Sequence, residues 1–474
     1  MLFNSFTFIL FFPIAALLYY VLPHKLRGTY LLLVSYGFYM NWNPTYALLL
    51  AGITLVSYFS ALGMSRLSRL ENKESQSKKV LVASIVLCLL PLIVFKYFNF
   101  INGSVFALLQ AFGMRIPMPD FKWLLPVGIS FFTFKVISYL VDVYKGRIEP
   151  ERNLGIYALY VSFFVDLAAG PIDRAEKLIP QLKTKHNFVP EQVVKGLRLM
   201  LWGYFMKVVV ADRLTLYVDP VFNHLDSHSG ISVLLAAVFF SIQIYCDFGG
   251  YSFIAIGCGK VMGFDLMTNF ERPYMATSVT DFWRRWHISL STWFRDYVYI
   301  PLGGNRCSKL RNRINLLVTF TVSGLWHGAN WTFVIWGFLN GVFQVFGKMW
   351  KKSGSKQKVY KGSERAWNIF ITFVLMTVAW TFFRANNVED AIQALGMMCV
   401  PTGSLYIPQT SLLVYILMGM AVLLVCDVLQ EMHGRHPLLE NKSVVVRFAS
   451  YLLLIVLILT VGVFDGGQFI YFQF

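Results

Sequence analysis

Residues 323–341 read SGLWHGANWTFVIWGFLNG, a run of aliphatic, aromatic and small residues that is typical of a membrane-like environment. The run contains one ionisable side chain, His327. Burying an imidazole in such surroundings is costly, so an ionisable residue there is a candidate for function. A second interpretation stays open on this segment alone: His327 packs between helices and bonds a neighbouring carbonyl.

The neighbours of His327 add to the case for a site. Gly324, Gly328 and Ala329 are small enough to let another backbone or a ligand approach closely. Asn330 and the indole N–H groups of Trp326 and Trp331 offer polar contacts within one helical turn. Of these residues, Trp326 and Asn330 are predicted substrate contacts.

Composition places this segment in a membrane protein. The 474 residues are 56% hydrophobic and 14% charged, which is too apolar for a soluble chain of this length. The apolar residues fall into many segments, so we expect one all-α polytopic membrane domain over residues 1–474, with roughly ten to twelve transmembrane and re-entrant helices. Those segments are residues 2–22, 29–39, 46–62, 80–97, 124–143, 154–169, 193–210, 231–261, 314–346, 367–383, 411–429 and 444–463. The pair 29–39 and 46–62, separated by NWNP, is expected to be bent or re-entrant.

The net charge of +17 is distributed in short loops between apolar segments. In the loop 348–365, for example, seven Lys or Arg residues accompany one acid, Glu364. This is the positive-inside pattern, which predicts cytoplasmic loops rather than a nucleic-acid surface. Such loops could also attract an anionic donor, either coenzyme A or a phosphopantetheine carrier.

A second histidine, His287, lies among tryptophans and arginines in residues 269–313. We expect a helix that is capped by Thr280 or Asp281 and ended by PLGGN at 301–305. On that helix His287 would share a face with Trp283, Trp286 and Leu290. An amphipathic interfacial helix with aromatic anchors is the alternative, and the position of His287 on the apolar face argues against it.

The sequence lacks the residue patterns of metal sites, serine hydrolases, nucleotide-binding proteins and carboxylate-driven proton transporters. The remaining six histidines occupy polar, turn-like stretches where we expect solvated imidazoles, and the six cysteines show no metal-ligand spacing. There is no GxSxG motif, no P-loop and no carboxylate pair in an apolar segment. We therefore expect no metal site and no permanently bound cofactor.

Longer motifs identify a family. DFWRRWHISLSTWFRDYVYIPLGGNR at 281–306 precedes the His327 segment, and QIYCDFGGYSFIAIG and MGFDLMTNFERPY occupy 243–257 and 262–274. LPVGISFFTFKVISYLVDVYKG at 125–146, AGPIDR at 169–174, KVVVADRL at 207–214, WTFFRA at 380–385 and FIYFQF at 469–474 complete the set. Together they resemble the membrane-bound O-acyltransferase family, and most closely its bacterial alginate O-acetyltransferase branch, over nearly the whole chain.

The resemblance implies helices around a central tunnel that joins the two membrane faces. It implies a catalytic role for the residue matching His327 and a second functional role for the one matching His287. The acyl group would come from a cytoplasmic thioester, acetyl-CoA or an acyl carrier. It would reach an exported polysaccharide with the help of a serine-dependent extracytoplasmic acetyltransferase. The protein would lie in the bacterial cytoplasmic (inner) membrane.

Three positions depart from the family pattern. Lys135 and Asp166 stand where glutamine is expected, and Phe253 replaces an aspartate. The AGPIDR form also resembles the sister branch that exports D-alanine onto teichoic acids. These departures leave the donor and the acceptor open.

The residues themselves suit acyl transfer. A hydroxyl that attacks a thioester needs a general base, and neutral imidazole serves near neutral pH. We predict that His327 is that base and that His287 orients the substrate or donates to the thioester carbonyl. The developing oxyanion would be met by Asn330, Trp326 or His287. The further predicted substrate contacts are Gln243, Tyr245, Asp247, Tyr251, Ser252, Arg284 and Arg285. For the five residues from Gln243 to Ser252, hydrogen bonding between helices is an equally good explanation.

Three alternatives remain. The first is D-alanyl or other acyl transfer to a teichoic-type polymer from a carrier-protein thioester. The second is a transporter in which the histidines relay protons, for which Asp142 and Asp247 are the few visible acidic partners. The third is a structural scaffold for an export complex, in which both histidines could be replaced without loss of polysaccharide modification.

Overall fold

Helices make up all the regular structure of the described residues, which are 2–70, 73–114, 125–167, 170–349, 360–434 and 436–464 of the computed structural model. Several features expected from the sequence extend beyond these residues. They are the terminal motif at 469–474, most of the basic loop 348–365, and the ends of apolar segments at residues 124 and 169.

The chain divides into two units that are each built from helices. One unit is Met1–Gly196 with Cys258–Met267, and the other is Leu197–Gly257 with Thr268–Phe474. The first nine described helices are α1 (Phe6–Val21), α2 (His24–Met40), α3 (Pro44–Ser68), α4 (Glu74–Leu92), α5 (Phe98–Ala111), α6 (Ile129–Tyr144), α7 (Leu154–Ser162), α8 (Phe164–Leu167) and α9 (Ala175–Lys183).

The helices that follow carry both histidines of interest. They are α10 (Pro190–Tyr204), α11 (Asp212–Asn223), α12 (Gly230–Val261), α13 (Val279–Arg285), α14 (Ile288–Phe294), α15 (Lys309–His327), α16 (Trp331–Met349), α17 (Gly362–Arg384), α18 (Val388–Cys399), α19 (Thr410–His433) and α20 (Val444–Val461). Short π-helical turns, Phe205–Ala211 and Arg295–Tyr299, follow α10 and α14.

Within the described parts of the chain, six helical stretches are long and apolar enough to cross a membrane by length and composition. They are Pro44–Ser68, Glu74–Ala111, Gly230–Val261, Gly362–Arg384, Thr410–His433 and Val444–Val461. Large apolar side chains cover their outer surfaces; Leu48 is 74% exposed and Val445 is 77% exposed. Such surfaces are costly in water and favourable against lipid, which confirms the expected all-α, multi-pass membrane protein.

Helix boundaries differ from the sequence prediction at the NWNP stretch. The segments at 29–39 and 46–62, expected as a bent or re-entrant pair, form the separate continuous helices α2 and α3. The side chain of Asn43 accepts the N–H of Thr45 at 2.9 Å, and Pro44 occupies the first turn of α3. An asparagine cap followed by proline starts a new helix, so α3 does not continue α2.

In the first unit, two of the residues that depart from the family pattern contact each other. Lys135 on α6 and Asp166 on α8 form an ion pair with an N–O distance of 2.8 Å, and both side chains are almost completely buried. The Lys135 ammonium also lies 4.7 Å from the centre of the Tyr160 ring. The positive charge of Lys135 and the negative charge of Asp166 therefore compensate each other in the buried interior.

Helix α12, most of which belongs to the second unit, is the most buried of the six candidate spans. Of its most apolar 18-residue segment, 78% is buried. A β-carbon at Gly203 on α10 would lie 2.6 Å from the Gly250 carbonyl oxygen, so the two helices touch through their backbones. Lys207 of the π-helical turn pairs with Asp212 and with Asp247 of α12. This close packing places the α12 side chains that contribute to the site below.

Candidate functional site

The segment that carries His327 is a tight helical hairpin. The apolar run expected at 314–346 is divided at residues 328–330 into α15 and α16, and His327 is the last residue of α15. A β-carbon at Gly324 would lie 2.2 Å from the Phe333 carbonyl oxygen, and one at Gly337 would lie 2.3 Å from the Phe320 oxygen. Only glycine permits this approach, which confirms the expected role of a small residue at 324.

Aromatic rings enclose His327, which is 3% exposed. Its ring centre lies 4.9 Å from Trp326, 4.9 Å from Trp336 and 5.5 Å from Phe383, all in edge-to-face arrangements. The Trp336 indole N–H is also buried and has no hydrogen-bond partner among the described residues. An N–H in this position next to an imidazole is a ready donor for a ligand oxygen.

The helix expected through His287 is interrupted there, so that prediction was wrong. Helix α13 is capped by Ser278 rather than Thr280 or Asp281, and it ends at Arg285. Trp286 is extended, and His287 adopts the left-handed conformation with φ 41° and ψ 55° before α14 begins. Trp283, Trp286, His287 and Leu290 therefore do not lie on one helical face.

Two backbone bonds explain the interruption. The N–H of Glu271 donates to the Arg285 carbonyl at 2.9 Å, and the N–H of Ile288 donates to the Asn269 carbonyl at 3.0 Å. They tie the segment 269–271 alongside residues 285–288 and remove those groups from helical bonding. A left-handed non-glycine residue is held only where the surroundings determine it, and such residues are frequent at functional sites.

Asn269 is the centre of the contacts around His287, and both residues are completely buried. Asn269 Oδ1 lies 3.0 Å from His287 Nδ1 and accepts the N–H and the hydroxyl of Ser289 at 3.3 and 2.9 Å. Asn269 Nδ2 donates to the hydroxyl of Ser252 on α12 at 3.0 Å. The Phe248 ring meets the His287 ring edge-on at 4.5 Å. His287 lies outside the six candidate membrane spans. Burial lowers the pKa of its imidazole well below the usual range.

Trp326 connects the two histidines. Its ring centre lies 6.3 Å from that of His287 and 4.9 Å from that of His327. The structure therefore brings together His287 and His327, the two predicted catalytic residues, on either side of Trp326, a predicted substrate contact.

A cavity of about 530 Å³ approaches this cluster between α13, α14, α15 and α16. Its lining includes Ser323, one turn before His327 on α15, and Trp283, whose ring packs against Trp336. Among the described residues that line it, three are cationic, Arg284, Arg295 and Lys348, and none is acidic. A lining of this charge suits an anionic ligand.

The five predicted residues of α12 separate into two groups. Gln243, Asp247 and Tyr251, four residues apart, face the Lys207 side: Gln243 donates to Thr215, Asp247 pairs with Lys207, and Tyr251 lies under its ammonium. Tyr245 packs beside Phe270 and Trp286, while Ser252 accepts the bond from Asn269. These last two adjoin the His287 segment.

The other predicted contacts have structural partners. The Asn330 amide donates to the Asn386 carbonyl at 2.9 Å and accepts the N–H of Thr332, so it holds the hairpin turn. Arg285 forms a two-pronged ion pair with Glu431, which also binds Arg272 and Arg365. Arg284 lines the cavity described above.

Two features escaped the sequence analysis. Asn269 lies inside a quoted motif, yet nothing in the local pattern shows that its side chain meets a residue 18 positions later. Of the six histidines expected to be solvated, His436 is instead buried, 8% exposed, with its ring 4.4 Å from Trp202 and its Nδ1 accepting the N–H of Leu439. The surrounding proline and charged residues hide this burial in the sequence.

Comparisons with known proteins identify the family of the chain. The model of the membrane-bound O-acyltransferase family matches residues 153–388, which include His287 and His327. The probable alginate O-acetylase AlgI of Pseudomonas aeruginosa is 38% identical over 82% of this chain and 73% of its own length. The peptidoglycan O-acetyltransferase of Helicobacter pylori is 35% identical over 83% and 79%. The teichoic acid D-alanyltransferase of Streptococcus thermophilus is 30% identical over 54% and 68%.

The identity and the coverage of these relatives, together with the family model, determine what the chain is. It is an acyltransferase and a multi-pass membrane protein, and it belongs to the membrane-bound O-acyltransferase family.

Proposed function

We propose that the chain transfers an acetyl group from a cytoplasmic thioester, acetyl-CoA or an acyl carrier, toward hydroxyls of an exported polysaccharide. The observation that supports this most directly is the cavity, whose lining carries three cationic side chains and also includes Ser323, one helical turn before His327. Coenzyme A and phosphopantetheine carry phosphates, and both end in a thioester when charged. Arg284, Arg295 and Lys348 suit the phosphates, and the apolar interior near Trp283 suits the thioester end.

His327 acts as the general base in this proposal. It removes the proton from the acceptor hydroxyl as the oxygen attacks the thioester carbonyl, and it returns that proton to the departing thiolate sulfur. The ring contacts with Trp326, Trp336 and Phe383 support a fixed imidazole orientation. The Trp336 N–H supports a role as oxyanion donor, because Asn330 is already bonded to the hairpin turn. The low exposure of the site limits hydrolysis of the thioester.

The final acceptor is a polysaccharide at the outer face of the bacterial cytoplasmic membrane. The hydroxyl that takes the acetyl group at His327 belongs to that polysaccharide or to a serine-dependent acetyltransferase, which then passes the acetyl group on to the polysaccharide. The names of the relatives, alginate O-acetylase and peptidoglycan O-acetyltransferase, support this class of acceptor. The D-alanyltransferase relative supports a second candidate, transfer of D-alanine to a teichoic-type polymer.

The test compares a native-host strain carrying His327→Ala with the wild type and with His24→Ala, a variant of an exposed histidine. Mild base releases ester-linked groups from envelope and secreted glycans, and acetate and D-alanine are quantified separately. We expect His327→Ala to lose acetate and His24→Ala to retain it, with equal protein in the membrane. Loss of D-alanine alone would favour the second candidate. Unchanged acylation in an abundant His327→Ala protein would overturn the catalytic assignment.

A further inference from the structure

Ser323 is the residue of the cavity lining that comes closest to His327 along α15, four positions before it. Residues four apart on a helix share a face, with about 5–6 Å between their β-carbons. Helical side chains also lean toward the N-terminal end of their helix, so the His327 imidazole leans toward Ser323. A ligand that fills the cavity therefore reaches Ser323 one helical turn before His327.

The hydroxyl of Ser323 differs from the other serine and threonine hydroxyls of the lining, because those already donate to protein oxygens. Thr280 donates to the Gln344 side chain at 2.7 Å, and Ser291, Thr292 and Thr319 donate to the backbone carbonyls of Trp286, Ser289 and Asn315 at 3.2, 2.9 and 2.6 Å. Across the parts of the chain that the structure describes, the Ser323 hydroxyl makes no hydrogen bond with the protein. It can therefore donate to a ligand in the cavity.

Aromatic rings line the cavity near Ser323, and a cation lines it further away. Phe320, one turn before Ser323 on α15, has its ring centre 5.3 Å from that of Trp283, and both residues belong to the lining. Lys348 lines the cavity from the end of α16 that is remote from the hairpin turn, with its ammonium 5.9 Å from the centre of the Tyr299 ring. The end near His327 thus offers an uncharged donor in apolar surroundings. A hydrogen bond there is electrostatically stronger than one in water, because the local dielectric is low.

We propose that Ser323 is a catalytic residue whose hydroxyl donates a hydrogen bond to the carbonyl oxygen of the acyl thioester. This inference rests on the proposed function, since it needs a thioester in the cavity. When the acceptor oxygen bonds to the carbonyl carbon, negative charge develops on the carbonyl oxygen and the bond from Ser323 strengthens. When the carbon–sulfur bond breaks, the carbonyl double bond forms again, and the thiolate takes the proton that His327 removed from the acceptor. Ser323 keeps its own proton and forms no covalent bond.

The backbone next to Ser323 holds this donor in place. Gly324 follows it directly, and a β-carbon there would lie 2.2 Å from the Phe333 carbonyl oxygen of α16. The position of Ser323 on α15 is therefore fixed relative to α16, which carries the Trp336 N–H. A donor that is already in position before the reaction stabilises the developing charge without a cost of reorganisation.

Ser323→Ala tests the donor through the kinetics of transfer. Native-host membranes receive acetyl-CoA or an acetylated carrier protein, and base-released acetate on the glycan is followed at several donor concentrations. We expect Ser323→Ala to lower kcat by about 100- to 1,000-fold and to raise KM by no more than about tenfold. Ser323→Thr, which keeps a hydroxyl, should stay within about tenfold of wild type in kcat.

Ser450→Ala is the matched control, because Ser450 is a buried helical serine of α20, 5% exposed against 7% for Ser323, and lies outside the cavity lining. We expect it to transfer acetate as the wild type does. Equal kcat values for Ser323→Ala and Ser450→Ala would overturn the inference, and so would a loss of kcat in Ser323→Ala that Ser323→Thr shares in full.

Two inert analogues test the contact without any transfer. In the first, a methylene replaces the sulfur of acetyl-CoA, so the carbonyl oxygen remains; the second, S-ethyl-CoA, has no carbonyl. The same two groups are also presented on the phosphopantetheine arm of a carrier protein. We expect wild type to bind the ketone about three- to tenfold more tightly than the thioether, and Ser323→Ala to bind both equally.

The outcomes separate the inference from the proposed function. If wild type binds neither pair of analogues, the proposed function fails and the inference falls with it. If wild type binds them and transfers acetate, but Ser323→Ala keeps the preference for the ketone, the inference alone fails. An acetyl group found on Ser323 by mass spectrometry of the protein incubated with either donor would make the residue a nucleophile, and it would overturn the donor role.

Discussion

Gly324→Ala should reduce acyl transfer strongly while leaving the protein folded. The new β-carbon would lie 2.2 Å from the Phe333 carbonyl oxygen, and such contacts below 3.0 Å essentially never occur, so α15 and α16 must separate by at least about 0.8 Å. His327 is three residues further along the same helix and moves with it. A displacement near 1 Å at a reacting group costs about 100-fold in rate.

The expected change in the free energy of unfolding is smaller than the expected increase in the activation free energy of transfer. Overpacking costs about 1–3 kcal/mol, and the better helix propensity of alanine returns about 1 kcal/mol. Gly347→Ala is the matched control on α16, because a β-carbon there meets nothing within 4 Å. Base-released acetate per amount of membrane protein gives the transfer, and tryptophan fluorescence during heating in detergent gives the stability. If Gly324→Ala transferred as well as Gly347→Ala, the reasoning from backbone contact would be refuted.

Three further results are expected. Lys135→Met should destabilise the folded protein by about 3–5 kcal/mol because it leaves the buried Asp166 carboxylate without its cation, whereas the double change of Lys135 and Asp166 to glutamine should recover most of the loss in detergent unfolding. Glu431→Gln should lower the unfolding temperature measurably, since three arginines share that carboxylate, and Asp265→Asn, at a 73% exposed side chain, should not. Burial lowers the pKa of His436 to about 4, below its value near 6.5 in the unfolded chain. The contribution of the neutral buried imidazole to the free energy of unfolding is therefore complete above pH 6.5 and is lost as the pH falls toward 4. This loss amounts to ~3 kcal/mol, and unfolding temperatures of His436→Phe should show a weaker pH dependence if the assignment is right.

Composition and long motifs were sufficient to predict the membrane class and the family, because both depend on properties summed over many residues. The two histidines became candidates on a different ground, because each is an ionisable group among apolar residues. Local periodicity failed at His287, where bonds from residues 269–271 replace helical bonds. A contact between segments separated along the chain leaves no periodic signal at either of them.

The α12 residues show the same limit. The five residues from Gln243 to Ser252 were predicted together as substrate contacts. Helical geometry directs Gln243, Asp247 and Tyr251 to the Lys207 side and Ser252 to Asn269. Which face a buried polar residue serves depends on partners that only the folded structure supplies. The contact between Lys135 and Asp166 is a further example, because two positions 31 residues apart in the sequence do not reveal that their side chains form an ion pair.

The hairpin of α15 and α16 also bears on how such a protein can diverge. Its close contact depends on the carbonyl oxygens of Phe320 and Phe333 opposite two glycines, whereas the adjoining cavity is lined by side chains. Substitutions in the lining change the charge and shape of the cavity without loosening the backbone contact that places His327. Single replacements in the cavity can therefore accumulate in a lineage that keeps the two glycines.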